Sequence, residues 1–443
     1  MEREPTRAAP FVSRLADLLA GTNMARSSAS IPGWHVTAAV TARPGAAVAP
    51  ISIRVPSRVL RDLRARLARV RWPHGVVDAP WADGTDTTFL RALVEYWCKE
   101  YDWRAQEREI NRLPHFQADV GGTPVHFVHI RGHGAGATPL LLCHGWPSSF
   151  LEYRKIIPLL AGDRVHGNGL DRAYDLVIPS LPGYGFSEAP RTPGVHVGTI
   201  AHLYDRLMTD VLGYDRYAAH GSDIGAGVVS WLGLDVPHHL YGVHLTSVTG
   251  SAMIRDVASP SPPLSDAERR FLGDVAQWAE LEGGYSHVQR TKPRTLAYAL
   301  NDSPVGLAAW IVEKYRAWSD CNGDVTRRFT FDELLTTIMI YWVTGGIGPS
   351  MRLYYEGRLH PRRLAPGERV EVPCGVALFP HDLARPPREW GERAYHVTRW
   401  TEMPRGGHFP AHEEPALLAD DIREFLRDTV TKPSAAVLCQ QEE

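Results

Sequence analysis

The sequence is short of cysteine and offers no pattern for pairing what it has. Cys98, Cys143, Cys321, Cys374 and Cys439 are five in 443 residues, an odd number, widely spaced, with no Cys-x-x-Cys pair. This argues against a disulfide framework and a structural zinc site, and fits a reducing compartment, the cytoplasm. Long apolar runs are missing as well, none approaching the roughly 20 residues that a helix needs to span a bilayer. Neither charge dominates: 48 basic and 50 acidic side chains leave a formal net charge of -2. With no Lys/Arg block to track phosphates, nucleic acid is not the expected partner. Met1 to Pro50 lacks a compact apolar segment ending in a small-residue cleavage site, so residues 1–50 read as a poorly ordered extension without a membrane anchor. What remains is 44% hydrophobic and 22% charged, an ordinary globular composition long enough for two or three domains.

From Ser52 the texture changes. Val59, Leu60, Leu63, Leu67 and Val70 recur at helical spacing with arginines between them, and Phe89, Leu90, Leu93, Val94 and Trp97 form a second amphipathic stretch. Residues 51–120 hold nothing that suggests chemistry and read as a packing segment. After Val120-Gly121-Gly122 strands alternate with turns and helices, the pattern of a parallel or mixed α/β sheet. The expected strands are Val125 to Ile130, Leu140 to Cys143, Asp175 to Pro179, Arg216 to His220, Val243 to Val248 and Gly375 to Phe379. Between the fifth and sixth lies a long, mainly helical, aromatic-rich insertion, most simply a lid. The expected divisions are a core from 121 to 255, a lid from 256 to 355, a second core part from 356 to 430 and a tail from 431 to 443.

The sharpest local signal is His220-Gly221-Ser222-Asp223-Ile224-Gly225, between a strand and the small-residue helix start Ala226-Gly227. A nucleophile elbow needs glycine on both sides, because the tight strand-to-helix turn leaves no room for side chains there. Asp223 holds the reactive position; a carboxylate can displace a leaving group at an sp³ carbon and form an alkyl ester. Ser222 stands one place early. An aspartate capping a helix N-terminus is the equal competitor for this string taken alone.

Leu141-Leu142-Cys143-His144-Gly145-Trp146-Pro147 is a strand running into a turn. The backbone N–H of Trp146 there, with that of Ile224 after the nucleophile, would supply an oxyanion-stabilising pair. Trp146-Pro147 is a candidate cis bond. Arg405-Gly406-Gly407-His408-Phe409, before the last helix, places a glycine-flanked histidine where such a chain keeps its general base. Of the 20 histidines, His144 and His220 read as loop-holding residues and His412 as part of a helix start. Asp382, in Phe379-Pro380-His381-Asp382 at the end of a strand, is the acid expected to orient His408; Glu402, read as a surface residue in a turn, is its rival.

These strings together resemble the microsomal-type epoxide hydrolases, including the juvenile-hormone epoxide hydrolases. The similarity runs from about Ser52 to Asp428. It includes the segment Ile51 to Trp72, His144 to Pro147, Leu181-Pro182-Gly183-Tyr184-Gly185-Phe186-Ser187, and Asn301-Asp302-Ser303-Pro304-Val305-Gly306-Leu307-Ala308-Ala309. The resemblance implies an α/β-hydrolase fold with a mainly helical lid and an N-terminal wrapping segment, and conversion of an epoxide and water to a vicinal diol without cofactor or metal. It further implies two lid tyrosines that hydrogen-bond the epoxide oxygen: Tyr285 and Tyr354 sit at the matching positions, with Tyr355 a rival by register. Ile224 departs from the tryptophan that several relatives carry after the nucleophile, which changes the pocket wall but keeps the N–H.

Trp146 and Trp310 are expected to line the substrate pocket. Trp278, Tyr285, Tyr298, Trp310, Tyr315 and Trp318 suggest that this pocket is roomy and apolar, suited to a bulky or aryl epoxide. A small-molecule epoxide is the expected partner, and a homodimer is open. A haloalkane-type dehalogenase would share Asp223 and His408 but needs halide donors in the lid. A non-catalytic hydrolase-fold binding protein would be expected to lack a triad member, and a serine esterase would need Ser at the centre of the elbow.

Overall fold

A computed structural model describes residues 47–74, 79–133, 136–162, 173–248, 263–365 and 367–430, and the backbone of two short antiparallel strands at Ser30–Ile31 and Trp34–His35. Most of the expected extension, the whole tail 431–443 with Cys439, and the junction into the lid at 249–262 lie outside them.

Nine strands form one sheet. In chain order they are β1 (Val48–Ile51), β2 (His115–Asp119), β3 (Pro124–Ile130), β4 (Thr138–Cys143), β5 (Tyr174–Pro179), β6 (Tyr217–Gly221), β7 (Leu240–Leu245), β8 (Val370–Leu378) and β9 (Tyr395–Glu402). Their order across the sheet is β9-β8-β7-β6-β4-β5-β3-β2-β1. The pairings from β9 through to β5 are parallel, and those joining β5, β3, β2 and β1 are antiparallel. The central strands β4, β5 and β6 are almost wholly buried, as strands must be when both faces of a parallel sheet are covered.

All six strands expected from the sequence are present, and three more join them. Val48–Pro50 lie in β1, paired with β2 from Val48↔Ala118 to Ile51↔His115, so the sheet begins before residue 51. Glu402 ends β9 rather than sitting in a turn; it is exposed.

The insertion between β7 and β8 is helical, as expected. Among the described residues its α-helices are Asp266–Glu282, Gly284–Thr291, Pro293–Asp302, Pro304–Trp318, Phe331–Thr344 and Ile347–Leu359, the last of which runs four residues past the expected boundary at 355. Ser265 and Thr330 open the first and the Phe331 helix with capping boxes, satisfying two orphan donors at each end.

The N-terminal segment is laid across this lid. Its helices Ser57–Leu67, Thr87–Lys99 and Trp103–Ile110 reach it through Arg66 to Asp302 at 2.7 Å, Tyr96 to Asp332 at 3.0 Å and Gln106 to Asp332 at 3.3 Å, and the turns beside them through Thr85 to the Ala309 carbonyl at 2.7 Å and Tyr101 to Thr336 at 3.0 Å.

Candidate active site

Asp223 stands where β6 turns into the helix Asp223–Asp235. Its φ of 48° is left-handed, a region that costs a non-glycine residue about 1–3 kcal/mol and recurs at active sites. The flanking glycines are needed for space: a Cβ at Gly221 would strike the Gly225 carbonyl, one at Gly225 the Cys143 carbonyl, and one at Gly145 the Asp223 side chain. The helix-cap reading of the aspartate does not describe this turn. Ser222 is the N-cap residue, and the Asp223 carboxylate turns away from its own helix to accept from the Trp146 N–H at 2.9 Å. The Trp146-Pro147 bond is cis.

His408 lies on the other side of the carboxylate. Its Nε2 is 3.5 Å from Asp223 Oδ2, and its Nδ1 is 2.5 Å from Asp382 Oδ1. The loop carrying it is fixed by hydrogen bonds from the His408 N–H to the Trp318 carbonyl at 2.8 Å and from the Gly406 N–H to Asp320 at 2.9 Å. Gly407 has no room for a Cβ against the Trp318 carbonyl and the Asp320 N–H. Asp382 follows β8 and is held by the Leu383 N–H at 2.7 Å and the Ser247 hydroxyl at 3.0 Å. Burial works to lower the His408 pKa, but Asp382 and Asp223 outweigh it and hold the imidazole well above its ordinary value. Ile224 is half-buried against the core.

Above the carboxylate, rings from core and lid converge. Trp146 stacks on Tyr285 with centroids 5.3 Å apart, and meets Trp318 at 6.0 Å and Tyr354 at 6.1 Å edge-on. Tyr285 and Tyr354 are 6.1 Å apart. Burial, with the negative charge of Asp223 among the lesser causes, holds both phenols above their ordinary pKa, so both are protonated donors at neutral pH. Tyr355, the rival by register, lies between the guanidiniums of Arg352 and Arg358 instead, 5.0 and 5.5 Å from its ring.

Two aromatic expectations, Tyr298 and Tyr315, are revised. Tyr298 is 73% exposed and cannot line a pocket. Tyr315 stacks on Phe409 at 4.4 Å and borders a different cavity, of about 290 Å³, with Ser148, Glu152, Lys155, Glu333 and His412 on its walls. Trp310 is half-buried and donates from its Nε1 to the Gln289 side-chain amide oxygen at 3.5 Å. The rings of Trp146, Trp318, Tyr285 and Tyr354 are the aromatic cover of the carboxylate, whose side chain keeps 16% exposure. Among the described residues no group of three His, Cys, Asp or Glu side chains is arranged to hold a metal ion.

The comparisons with known proteins bear on this geometry. Residues 48–153 match the family model for the epoxide hydrolase N terminus, and residues 138–319 that for the α/β-hydrolase fold. Epoxide hydrolase 1 of Sus scrofa is 36% identical over 87% of this chain and 90% of its own length. The chain belongs to the epoxide hydrolase family. Two solved structures of epoxide hydrolases share its fold. The juvenile hormone epoxide hydrolase of Bombyx mori superposes with a TM-score of 0.77 at 29% identity, covering 87% of this chain and 95% of that one. The Aspergillus niger epoxide hydrolase gives 0.75 at 29%, covering 86% and 97%.

Sequence reasoning missed one buried acid in this epoxide hydrolase. Glu152, five residues after the cis proline, is 6% exposed and accepts from the Ser222 hydroxyl at 3.2 Å. Burial pushes its carboxyl up to about 7. No local pattern marks it, because its partner is 70 residues away. An acid raised in the folded state binds its proton more tightly there, so this group makes stability fall as pH rises from about 4.5 to about 7. The full shift amounts to roughly 3 kcal/mol. Glu152→Gln should therefore flatten the loss of Tm between pH 5 and 7.5, measured by calorimetry; an unchanged slope would remove Glu152 as its source.

Proposed function

We propose that this epoxide hydrolase opens its substrate by attack of Asp223 on a ring carbon, forming an alkyl ester, while Tyr285 and Tyr354 donate to the departing oxygen. Water then adds to the ester carbonyl: its proton goes to His408, its oxygen to the Asp223 carbon, and the Trp146 and Ile224 N–H groups hold the oxyanion. Collapse breaks the bond between the ester carbonyl carbon and the alkoxy oxygen, the His408 proton passes to that departing oxygen, and a vicinal diol leaves with the carboxylate restored.

One observation carries this reading. A single carboxylate has one oxygen 2.9 Å from the Trp146 N–H and the other 3.5 Å from an imidazole that Asp382 holds in turn. The electrostatics suit the order of events. While Asp223 is ionised it helps keep His408 protonated and unable to act as a base. Once esterified, Asp223 is neutral, that support is lost, and the imidazole becomes available to take a proton from water.

Single turnover in ¹⁸O water with excess enzyme should place label in the peptide containing Asp223, read by mass spectrometry. Label in the diol alone, with none in that peptide, would refute the ester. Tyr285→Phe and Tyr354→Phe should each slow ester formation about 10²-fold, the usual cost of losing one oxyanion donor, and leave ester hydrolysis nearly unchanged. Stopped-flow tryptophan fluorescence separates the two steps, since Trp146 packs on both tyrosines.

The aromatic cover favours an aryl or otherwise bulky apolar epoxide, which a panel including styrene oxide would test. No helix among the described residues is long and apolar enough to cross a membrane, and the four described cysteines are free; both agree with a cytoplasmic enzyme.

A further inference from the structure

Lys314 is buried, 5% exposed, on the lid helix Pro304–Trp318. Lysine is seldom buried unless paired, because the ammonium gives up its hydration. Its carboxylate partner is the neighbouring Glu313, whose side chain is 22% exposed, and that pairing does not require the lysine to turn inward. What the inward turn achieves is contact with the active-site rings. The ammonium lies 4.9 Å from the centroid of Tyr285 and 5.8 Å from that of Trp318, both within the range where a cation is attracted to an aromatic face. Tyr285 is otherwise faced by Asp223, Glu313 and the Tyr354 phenol.

Charge moves during ring opening. As the Asp223 oxygen bonds to carbon, the ring C–O bond breaks and its electron pair stays on the departing oxygen, which takes up the Tyr285 proton. The carboxylate becomes a neutral ester and the negative charge passes to the phenol. Hydrolysis later returns a proton from water to that phenolate. A cation beside the tyrosine stabilises the state after this transfer more than the state before it, which is the condition for accelerating a step.

We propose that Lys314 is a positioning residue for the ring-opening step, acting through Tyr285 to hold the ring and to favour the negative charge that reaches it. This rests on the two-step reading above and adds to it a residue outside the nucleophile, base and donor set.

The test uses the full-length enzyme and styrene oxide, with alkyl-enzyme formation and breakdown followed separately by stopped flow. Lys314→Met should slow formation about tenfold, within the range of a desolvated cation–π contact, and leave breakdown within twofold. Lys314→Arg should recover most of the loss. In a Tyr285→Phe background Lys314→Met should cost less than about twofold more, since coupled residues are non-additive. Full additivity, equal loss in both steps, or no loss would overturn the proposal. Lys314→Gln, which keeps a polar side chain without the charge, covers the case in which Lys314→Met does not fold: it should slow formation to a similar degree, and no loss would count against the role. If no alkyl-enzyme forms in any variant, including His408→Gln, the two-step reading fails first.

Discussion

Asp223→Ala should lower turnover by about 10⁴-fold or more, the scale on which loss of a covalent nucleophile is felt, while the protein stays folded. The two parts of that expectation have separate structural grounds. The carboxylate is the group shared by the Trp146 N–H and the His408 imidazole, so nothing else in the site can take its place. It is not, however, what starts the following helix: Ser222 is the N-cap, and alanine at a φ of 48° meets a backbone strain similar to that of aspartate. Tm should shift by only a few degrees, as for about 1 kcal/mol in a domain of this size. Steady-state diol formation and a thermal melt on the same preparation check both parts. Activity within tenfold of the parent would mean that another group attacks the epoxide.

His408→Gln should separate the two chemical steps. Removing the base leaves ester formation nearly intact and slows ester hydrolysis by about 10³-fold or more, within the range of general base catalysis. The alkyl-enzyme should accumulate to one equivalent, visible as a mass increase equal to the epoxide. The pH dependence follows from the charges around the ring. Hydrolysis needs neutral imidazole, so its rate should rise with pH up to the pKa that His408 has in the ester. That pKa lies below the resting one, because Asp223 no longer contributes to holding the imidazole protonated. Formation of the ester should not share this limb. A parent enzyme whose two steps titrate together, or a Gln variant that never accumulates adduct, would contradict the division of labour.

The elbow, the Trp146 turn and the His408 loop could be read in the sequence because each depends on backbone geometry that only glycine or proline supplies, and those residues are local marks. The rest of the site depended on distant partners. Tyr354 and Tyr355 are indistinguishable by type and spacing, and only packing sends one to the Trp146 ring and the other between two arginines. Lys314 and Glu152 look like surface residues in the sequence, and are buried by elements far from them in the chain. The missed strands have the same cause. In β2 the polar His115 sits buried because His126 on β3 and the Ile110 carbonyl take its ring nitrogens at 2.9 and 2.8 Å, which masks the apolar alternation. In β9, an edge strand, exposed His396, Thr398 and Glu402 give the stretch a loop-like composition.

The contacts through which the N-terminal segment grips the lid make these two regions one mechanical body, although the strands from β2 to β7 and the nucleophile turn separate them along the chain. Grafting a lid from a relative to change substrate preference would strand Arg66, Tyr96 and Tyr101 without their side-chain mates. Chimeras that carry both regions from the same parent should express and melt as single units, and those that exchange the lid alone should not.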